Sequence, residues 1–507
     1  MNTAKPRRTE RRLRFDSRLL WDLLLLVMCM ALATVTFLGF YPGRAEYDIS
    51  EQAKQMLGMK NLSDWHPPIV AVLWRGLYTV TGELASLLAF QISAYFLAVF
   101  LLAVFTHRIL KRRWASLAMI AILVSPWAYS QLGVMWKDTI MAATLLLAAG
   151  CLALIVPKKK KTYWFVIPAV ALLIFATLVR KNAVVAVVPM CVFLAWRLVP
   201  GIRWRIERVT RQKLNTKIRV RKSVLATLVC TLAVVAVTSA ALLIDFGIAR
   251  QWNVKPTHQI YQVILDDVMF SVPEYELNTS AAPQELKDRI NTARPKCYEM
   301  NEPYDAYWNC YGRGSSGSDY SPLGYRDELK QLWLDHVITH PQRYVDYRWS
   351  VYKFYLTTSR LIYFPNIVVE PAKDVGFHRG SMEFDQVAER YVVDFGADTI
   401  GMVFKPWFWL LAGVIVSIGA WWSGRSRAFA LMLTSSALLY ILAYFPVIPA
   451  NHFRYTYWPA LAISVACVVV VAGVVKTWRD RRGRSAVTCT ETLDKLPQSA
   501  LESANER

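Results

Sequence analysis

Residues 19–40, LLWDLLLLVMCMALATVTFLGF, are 22 consecutive residues that contain a single charged side chain, Asp22. A helix crosses the roughly 30 Å hydrocarbon core of a bilayer with about 20 residues. The stretch is therefore long and apolar enough to span a membrane. The basic residues before it resemble the start of a signal peptide. However, the run is long and has no convincing small-residue cleavage site, so we interpret it as an anchor.

The remainder of the chain repeats this pattern. The protein has 507 residues, of which 55% are hydrophobic, a composition that excludes an ordinary soluble domain. We therefore predict an all-α polytopic membrane protein with about 10–13 transmembrane helices. Ten apolar runs carry this prediction, at about 19–40, 84–106, 114–131, 139–156, 162–179, 183–199, 224–246, 404–422, 428–446 and 457–476.

Lysine and arginine in the short loops predict the orientation, because positively charged segments resist translocation. If the N-terminus is cytoplasmic, the inner segments carry 32 of the 59 basic residues and the short outer segments only 8. Both termini are then cytoplasmic, in a multi-pass protein of the cell membrane. The net charge of +22 follows mainly from this topology, so it is not interpreted as nucleic-acid binding.

This topology predicts five parts of the chain. Residues 1–18 form a basic cytoplasmic N-terminus, and residues 19–246 form a transmembrane module with a long first outer loop at 41–82. Residues 404–476 form the C-terminal transmembrane helices, and 477–507 a disordered cytoplasmic tail.

The fifth part, 247–403, is predicted to be an extracytoplasmic loop domain of mixed α and irregular structure. It carries 16 Lys/Arg against 21 Asp/Glu and is rich in aromatic residues. Its only cysteines are Cys297 and Cys310. The outer compartment permits disulfides, but the sequence leaves open whether these two pair.

Motifs of several enzyme classes are absent from the sequence. It contains no G-x-x-x-x-G-K-[ST] phosphate loop, no H-E-x-x-H zinc motif, no G-x-S-x-G elbow and no pair of C-x-x-C units. ATP-driven transport, zinc proteolysis and hydrolase chemistry therefore lack their usual signatures.

Polar residues instead gather in four loops that are all predicted to lie on the outer side. Loops on one face of a helix bundle can converge on one cavity, which makes these residues candidates for a shared site. They are Asp48, Glu51 and His66-Pro67-Pro68 after the first span, Trp136-Lys137-Asp138 before the fourth, Arg180-Lys181-Asn182 after the fifth, and Asn451-His452-Phe453-Arg454-Tyr455 before the last.

These residue types fit the transfer of a sugar from a polyprenyl phosphate to an acceptor hydroxyl. Such a reaction needs a general base near the nucleophile, and the Asp48 carboxylate is our candidate. The departing phosphate gains negative charge, which Arg180, Lys137 and Arg454 are suited to stabilise, with Lys181 and His66 behind them. A donor sugar already activated on a lipid needs no nucleotide site.

The same motifs, in this order, resemble the GT-C superfamily of membrane glycosyltransferases, which use polyprenyl-phosphate-linked sugars. The similarity covers spans one to six and the last two, and is greatest to a bacterial branch with a first-loop Asp and His-Pro-Pro. It implies an outward active site in which Asp48 acts on a glycan, lipid or protein acceptor. Arg180 and Arg454 would hold the lipid phosphate, with His66, Lys137, Asp138, Asn182 and Tyr455 as further binding residues.

One departure from the family pattern concerns a metal. Many members have two adjacent acidic residues in the first loop, whereas Tyr47 separates Glu46 from Asp48 here. No metal ligand or cofactor is assigned, and the use of a divalent metal is left open.

Structural roles are the alternative for each candidate. Asp48 would cap the segment 49–58 and Asp138 the fourth span, since Asp is a favoured N-cap. His66 would shape a turn, and the basic residues would reach toward lipid headgroups. Asp266-Asp267 would be a solvated face of the loop domain. Other functions also stay open: a polymerase or ligase of lipid-linked glycans, a transporter or flippase for them, or a non-catalytic assembly partner.

Overall fold

A computed structural model describes residues 17–157, 159–213, 222–300, 304–312, 324–363, 367–448 and 450–493. Over these residues the chain forms helices and four isolated backbone bridges, without a strand. The α-helices are α1 Ser17–Phe40, α2 Tyr47–Leu57, α3 Pro68–Thr81, α4 Ser86–Val104, α5 Arg113–Leu123, α6 Pro126–Tyr129, α7 Lys137–Leu154, α8 Val166–Val179, α9 Ala183–Lys213, α10 Lys222–Gln251, α11 Ile260–Ser271, α12 Glu274–Thr279, α13 Gln284–Glu299, α14 Arg326–Leu332, α15 Pro341–Thr358, α16 Glu370–Lys373, α17 Met382–Glu389, α18 Pro406–Ala420, α19 Arg427–Leu442 and α20 Tyr457–Leu493.

Seven helices in the described part of the chain are long and apolar enough to cross a membrane. This confirms the prediction of an all-α polytopic membrane protein. The seven are Ser17–Phe40, Ser86–Ile109, Lys137–Leu154, Lys160–Val179, Ala183–Arg203, Ser223–Gln251 and Phe453–Arg479.

The other three predicted spans form shorter helices. The apolar run 114–131 is broken into α5 and the four-residue α6 at Ser125, which is extended (ψ 160°) before Pro126. A proline disfavours helical backbone at the residue before it, which explains the break. Helices α18 and α19 have 15 and 16 residues, about 23 Å of rise each, which is less than the hydrocarbon core.

Helix α7 is the centre of the bundle. It packs against α4, α8 and α20, and every residue from Asp138 to Ala153 is buried. Gly150 lies so close to α4 that a Cβ atom there would come within 3.0 Å of the Leu101 Cβ. In a membrane the hydrophobic effect contributes little to helix association, and small residues let the helices pack closely instead. This close packing fixes the position of α7 relative to α4, and with it the position of the first turn of α7.

The first outer loop is clamped at its start between two distant segments. The Arg44 N–H donates to the Gly133 carbonyl at 3.0 Å, and the Ala45 N–H donates to the Ile367 carbonyl at 2.9 Å. The buried Arg44 side chain also forms an ion pair with Asp385. These contacts set the position of α2, which begins two residues later.

The loop domain has its own core, and the first outer loop contributes to it. Trp65 packs among Leu265, Met269 and Leu286, around the Cys297–Cys310 disulfide. The pairing of the two cysteines, left open by the sequence, is thus present. Because Trp65 lies in this core, the residue that follows it is anchored to the loop domain.

The ends of the chain are only partly described. Helix α20 continues to Leu493, through the first part of the segment 477–507 that was predicted as a tail. Residues 1–16 of the predicted N-terminal segment and residues 494–507 lie outside the described residues.

Candidate active site

Asp48 lies in the first turn of α2, near Arg454, Lys137 and His66; the space that these four residues border is called the cleft below. The Asp48 side chain is 36% exposed, so a ligand can reach the carboxylate. The helix begins at Tyr47, and its N-cap position is Glu46. The alternative role of Asp48 as the N-cap of this helix is therefore wrong.

The first turn of α7 lies next to Asp48. The Trp136 Nε1 donates a hydrogen bond to Glu46 at 2.6 Å, and this contact ties the start of α7 to the start of α2. Lys137, the first residue of α7, interacts electrostatically with Asp48 and places its Nζ 3.4 Å from the Trp65 carbonyl. Among the described residues the ammonium group thus has one hydrogen bond, and that bond is long.

Asp138 forms an ion pair with Arg180 at 2.7 Å, although 42 residues separate them. Asp138 is 1% exposed. The N-cap of α7 is Trp136, so the predicted capping role of Asp138 is wrong as well. Its carboxylate instead holds the Arg180 guanidinium beside the cleft.

Arg180 is held on every side. Its Nε donates to the Asn182 Oδ1 at 3.1 Å and its Nη2 to the Tyr444 hydroxyl at 3.1 Å, in addition to the Asp138 pair. The guanidinium also lies 5.1 Å from the centre of the Tyr455 ring. Asn182 and Tyr455 therefore position Arg180, and the guanidinium has little capacity left for a ligand.

Arg454 is the cation closest to Asp48, with Nη1 3.6 Å from the Asp48 Oδ2. Its Nη2 donates to the Tyr455 hydroxyl at 3.0 Å, and its guanidinium lies 5.0 Å from the Trp136 ring centre. Within the described residues its buried Nε has no hydrogen-bond partner. Arg454 thus has fewer protein partners than Arg180, and its closest carboxylate is Asp48.

His66 completes the cleft. It is 2% exposed, and it interacts electrostatically with Asp48, Lys137 and Arg454. The turn interpretation is correct for its neighbours, since Pro67 is the N-cap and Pro68 the first residue of α3. The imidazole itself is buried and interacts electrostatically with Asp48.

The cleft strongly perturbs the ionisation of its acids. Burial raises the pKa of Asp48, but His66, Arg454 and Lys137 lower it by more, so the carboxyl is ionised at neutral pH. Burial and the Asp48 charge raise the pKa of Glu46 to about 7. Two acids two residues apart thus differ in protonation, as is common where proton transfer takes place.

The sequence indicated some site residues without giving them a role. Trp136 and His452 belong to the predicted outer-loop motifs, and Glu46 was noted as the acid that Tyr47 separates from Asp48. His452 also faces Asp48, and burial together with Arg454 and Arg360 lowers its pKa to about 3. Tyr444 had no sequence signal, because it follows an apolar helix at a distance from any motif.

Four other candidate residues lie outside the cleft. Glu51 is paired with Lys60 at 2.7 Å, and Lys181 is 78% exposed, with Asp245 3.9 Å away. Asp266 and Asp267 are buried in the loop domain at 3% and 2% exposure, so their interpretation as a solvated face is wrong.

A divalent metal has no ligand set among the residues described by the structure. No group of three or more His, Cys, Asp or Glu side chains there is arranged to hold a metal ion. Asp48 instead faces the cations Lys137 and Arg454.

No family model, curated protein or solved structure matches this chain.

Proposed function

We propose that the protein is a membrane glycosyltransferase that moves a sugar from a polyprenyl phosphate to an acceptor hydroxyl on the extracytoplasmic side. One observation carries the proposal. Asp48, His66, Lys137 and Arg454, from three separate segments, meet in one cleft beside the ends of apolar helices. A carboxylate opposite two cations, at the edge of a bilayer, suits a substrate with a reactive sugar, a phosphate and a lipid tail.

Asp48 acts as the general base in this proposal. The acceptor oxygen forms a bond to the anomeric carbon of the sugar, and its proton passes to the Asp48 carboxylate. The bond between the anomeric carbon and the phosphate oxygen breaks, and both electrons stay with the polyprenyl phosphate. Asp48 is ionised at neutral pH, which a general base requires, although the nearby cations that lower its pKa also make it a weaker base.

Arg454 and Lys137 stabilise the leaving phosphate. Both have donor groups directed toward the cleft, and the Lys137 ammonium lies at a helix N-terminus, where free N–H groups also favour an anion. Arg180 is already engaged by Asp138 and Tyr444, so it contributes positive potential instead of binding the phosphate directly.

The outward orientation of the cleft rests on the Lys/Arg distribution. Exposed tryptophans mark the membrane boundaries without giving sidedness, since tryptophan is enriched at both interfaces. Six of them flank the predicted inner ends of helices and would mark one interface: Trp114, Trp164, Trp196, Trp421, Trp422 and Trp478.

The test of the function is an assay of the purified protein in lipid with a panel of polyprenyl-phosphate sugars. We expect Asp48→Asn to reduce transfer by about 100- to 10,000-fold, as for the loss of a general base. Glu51→Gln is the matched control, one turn later on α2 and paired with Lys60; it should retain activity. Equal turnover of Asp48→Asn and wild type, with both folded, would refute the base assignment.

The donor panel also separates the alternatives. Transfer of whole lipid-linked glycans and not of single sugars would indicate a polymerase or ligase. Movement of a lipid-linked saccharide across the bilayer without a new glycosidic bond would indicate a flippase.

Sidedness has its own test with single cysteines in a background without other accessible cysteines. Tyr47→Cys and Lys181→Cys, both at exposed positions, should react with an impermeant maleimide on intact cells. Lys160→Cys, at the opposite end of its helix, should react only after the cells are opened. The reverse pattern would place the cleft in the cytoplasm and contradict the proposal.

A further inference from the structure

The segment that leads into α18 forms an amphipathic helix with three faces. Helix α17 continues directly into π-helical turns at Arg390–Thr399, and we call the two together the 382–399 helix. Its buried face contains Asp385, Ala388, Val392 and Gly396. The residues one position earlier form an exposed apolar face of Val387, Tyr391 and Phe395. The residues one position earlier again form an exposed polar face of Gln386, Arg390 and Asp394.

The order of these faces around the helix is informative. Successive residues of a helix point in directions roughly 100° apart, so the apolar face lies between the buried face and the polar one. Val387 is 63% exposed and Phe395 52% exposed. A helix that presents an apolar stripe beside a polar stripe is suited to the boundary between lipid and water.

The 382–399 helix lies across the ends of helices in the bundle. Near its start, the Phe384 ring packs against the Phe40 ring at the end of α1, with ring centres 5.1 Å apart. Near its end, Gly396 lies so close to α6 that a Cβ atom there would come within 2.6 Å of the Pro126 Cβ. The helix is therefore fixed at the level where α1 ends.

The exposed apolar face continues the apolar surface of α1. Helix α1 is long and apolar enough to cross a membrane, and Val35 and Leu38 are exposed near its end. Phe384, at the edge of the apolar face, packs on Phe40. Shortly after the 382–399 helix, the chain enters the apolar helix α18. The lipid that surrounds α1 thus lies next to this face, and contiguous exposed apolar surface marks a contact with lipid or with another protein.

We propose that the 382–399 helix lies in the membrane interface, on the side where α1 ends, with Val387, Tyr391 and Phe395 among the lipid acyl chains. Tyrosine suits this position, because its ring is apolar and its hydroxyl is polar. The exposed charges of the helix are mainly acidic. The contact therefore depends on apolar area and not on attraction to anionic headgroups. The charged residues concerned are Glu383, Arg390, Asp394 and Asp398.

This placement links the membrane surface to the first outer loop. Asp385, on the buried face of the helix, forms an ion pair with the buried Arg44. Arg44 precedes α2, which carries Asp48 in its first turn. A helix held in the interface thus fixes the height of this loop above the bilayer, whatever reaction the cleft performs.

The test uses the full-length protein in lipid nanodiscs, with a fluorescent probe on one cysteine at a time in a background without other accessible cysteines. Val387→Cys and Phe395→Cys report the apolar face. Gln386→Cys and Asp394→Cys, each one residue earlier and also exposed, are the matched controls. Interfacial helices lie about 5–10 Å deep, so we expect lipids with a quencher near the headgroup to quench the first pair at least about twofold more than the controls. Iodide in the buffer should quench the controls more.

Substitution of zwitterionic by anionic lipid should leave the lipid quenching of Val387→Cys and Phe395→Cys unchanged, and a strong rise would overturn the apolar mode of contact. Unfolding midpoints check that all four variants are folded. Equal lipid quenching of the two pairs would overturn the proposal. Protection of Val387→Cys and Phe395→Cys from both lipid quencher and iodide would also overturn it, because a second copy of the chain would then cover the face. Free access of iodide to both positions would place the face in water.

Discussion

Two groups of acidic residues in this protein illustrate opposite uses of buried charge. In the loop domain, Asp266 accepts the N–H groups of Asp305 and Ala306, each at 3.0 Å. Asp267 pairs with Arg348 at 2.7 Å and accepts from the Trp333 Nε1 at 2.9 Å. All four carboxylate oxygens are occupied by the protein itself, and the side chains are closed to solvent.

The cleft at Asp48 has similar residue types and a different arrangement. Asp48 is one-third exposed and lies 3.6 Å from Arg454, too far for a strong hydrogen bond. Nearby, His66 and the Arg454 Nε have buried polar atoms to which the described residues offer no partner. The two groups differ in exposure and in the closeness of the ion pair: Asp267 and Arg348 are buried and 2.7 Å apart, whereas Asp48 is partly exposed and 3.6 Å from Arg454.

The largest effect on stability should come from breaking the ion pair of Asp267 with Arg348 in the loop domain. Asp267→Asn leaves the fully buried Arg348 guanidinium without its counter-ion, which typically costs about 3–5 kcal/mol of stability. We expect a markedly lower thermal unfolding midpoint in lipid or detergent, with unchanged donor affinity in the fraction that remains folded. Asp288→Asn, at an exposed site in the same domain, is the control. Equal midpoints for the two variants would contradict the structural role of Asp267.

Substitutions of Arg454 and Arg180 should separate a ligand-binding arginine from a structural one. Arg454→Gln should lower transfer by roughly 100-fold, the typical loss of one transition-state donor, with little change in stability. Arg180→Gln leaves Asp138 buried without its partner, so its main effect should be on the unfolding midpoint. Measurement of both kcat and the midpoint for each variant checks this. The assignment fails if Arg180→Gln loses activity at full stability while Arg454→Gln does not.

The smallest effect concerns Glu46, whose raised pKa of about 7 makes stability depend on pH. An acid with a raised folded pKa binds more protons in the folded state than in the unfolded one. Its stability contribution is therefore complete below about pH 4.5 and declines as the pH rises through 7. Glu46→Gln should flatten the wild-type decline, so the variant gains relative stability at pH 8 but not at pH 4.5. Unfolding midpoints at the two pH values test this, and an equal shift at both would exclude the effect.

Much of the membrane architecture could be predicted from local sequence. Runs such as 139–156 and 457–476 can be predicted as spans from their own sequence, because crossing a bilayer depends on the length and apolarity of one segment. The break at Pro126 was missed because composition over the window 114–131 outweighed a single proline. The positions of α18 and α19 were predicted within a few residues, but their helices are shorter than their apolar runs.

The candidate residues were predicted better than their roles. Asp48, His66, Lys137 and Arg454 were expected in one cavity, and the structure brings them together. Asp138 and Arg180, however, pair with each other, 42 residues apart, and leave Arg180 without free donors. The local sequence around Asp138 or Arg180 does not predict this ion pair, because it depends on how α7 packs against the end of α8.

By itself, the sequence determined that this chain is a helical membrane protein and which polar residues end up near its helix ends. Those properties depend on whether each short segment is better solvated by lipid or by water, and the composition of the segment determines this directly. Only the tertiary structure decided which charges are paired and which stay open. It paired Asp267 with Arg348 and Asp138 with Arg180, each at 2.7 Å, and it left Asp48 partly exposed and 3.6 Å from Arg454. That distinction arises from distances between segments far apart in the chain, and it is what separates a binding cleft from a structural ion pair.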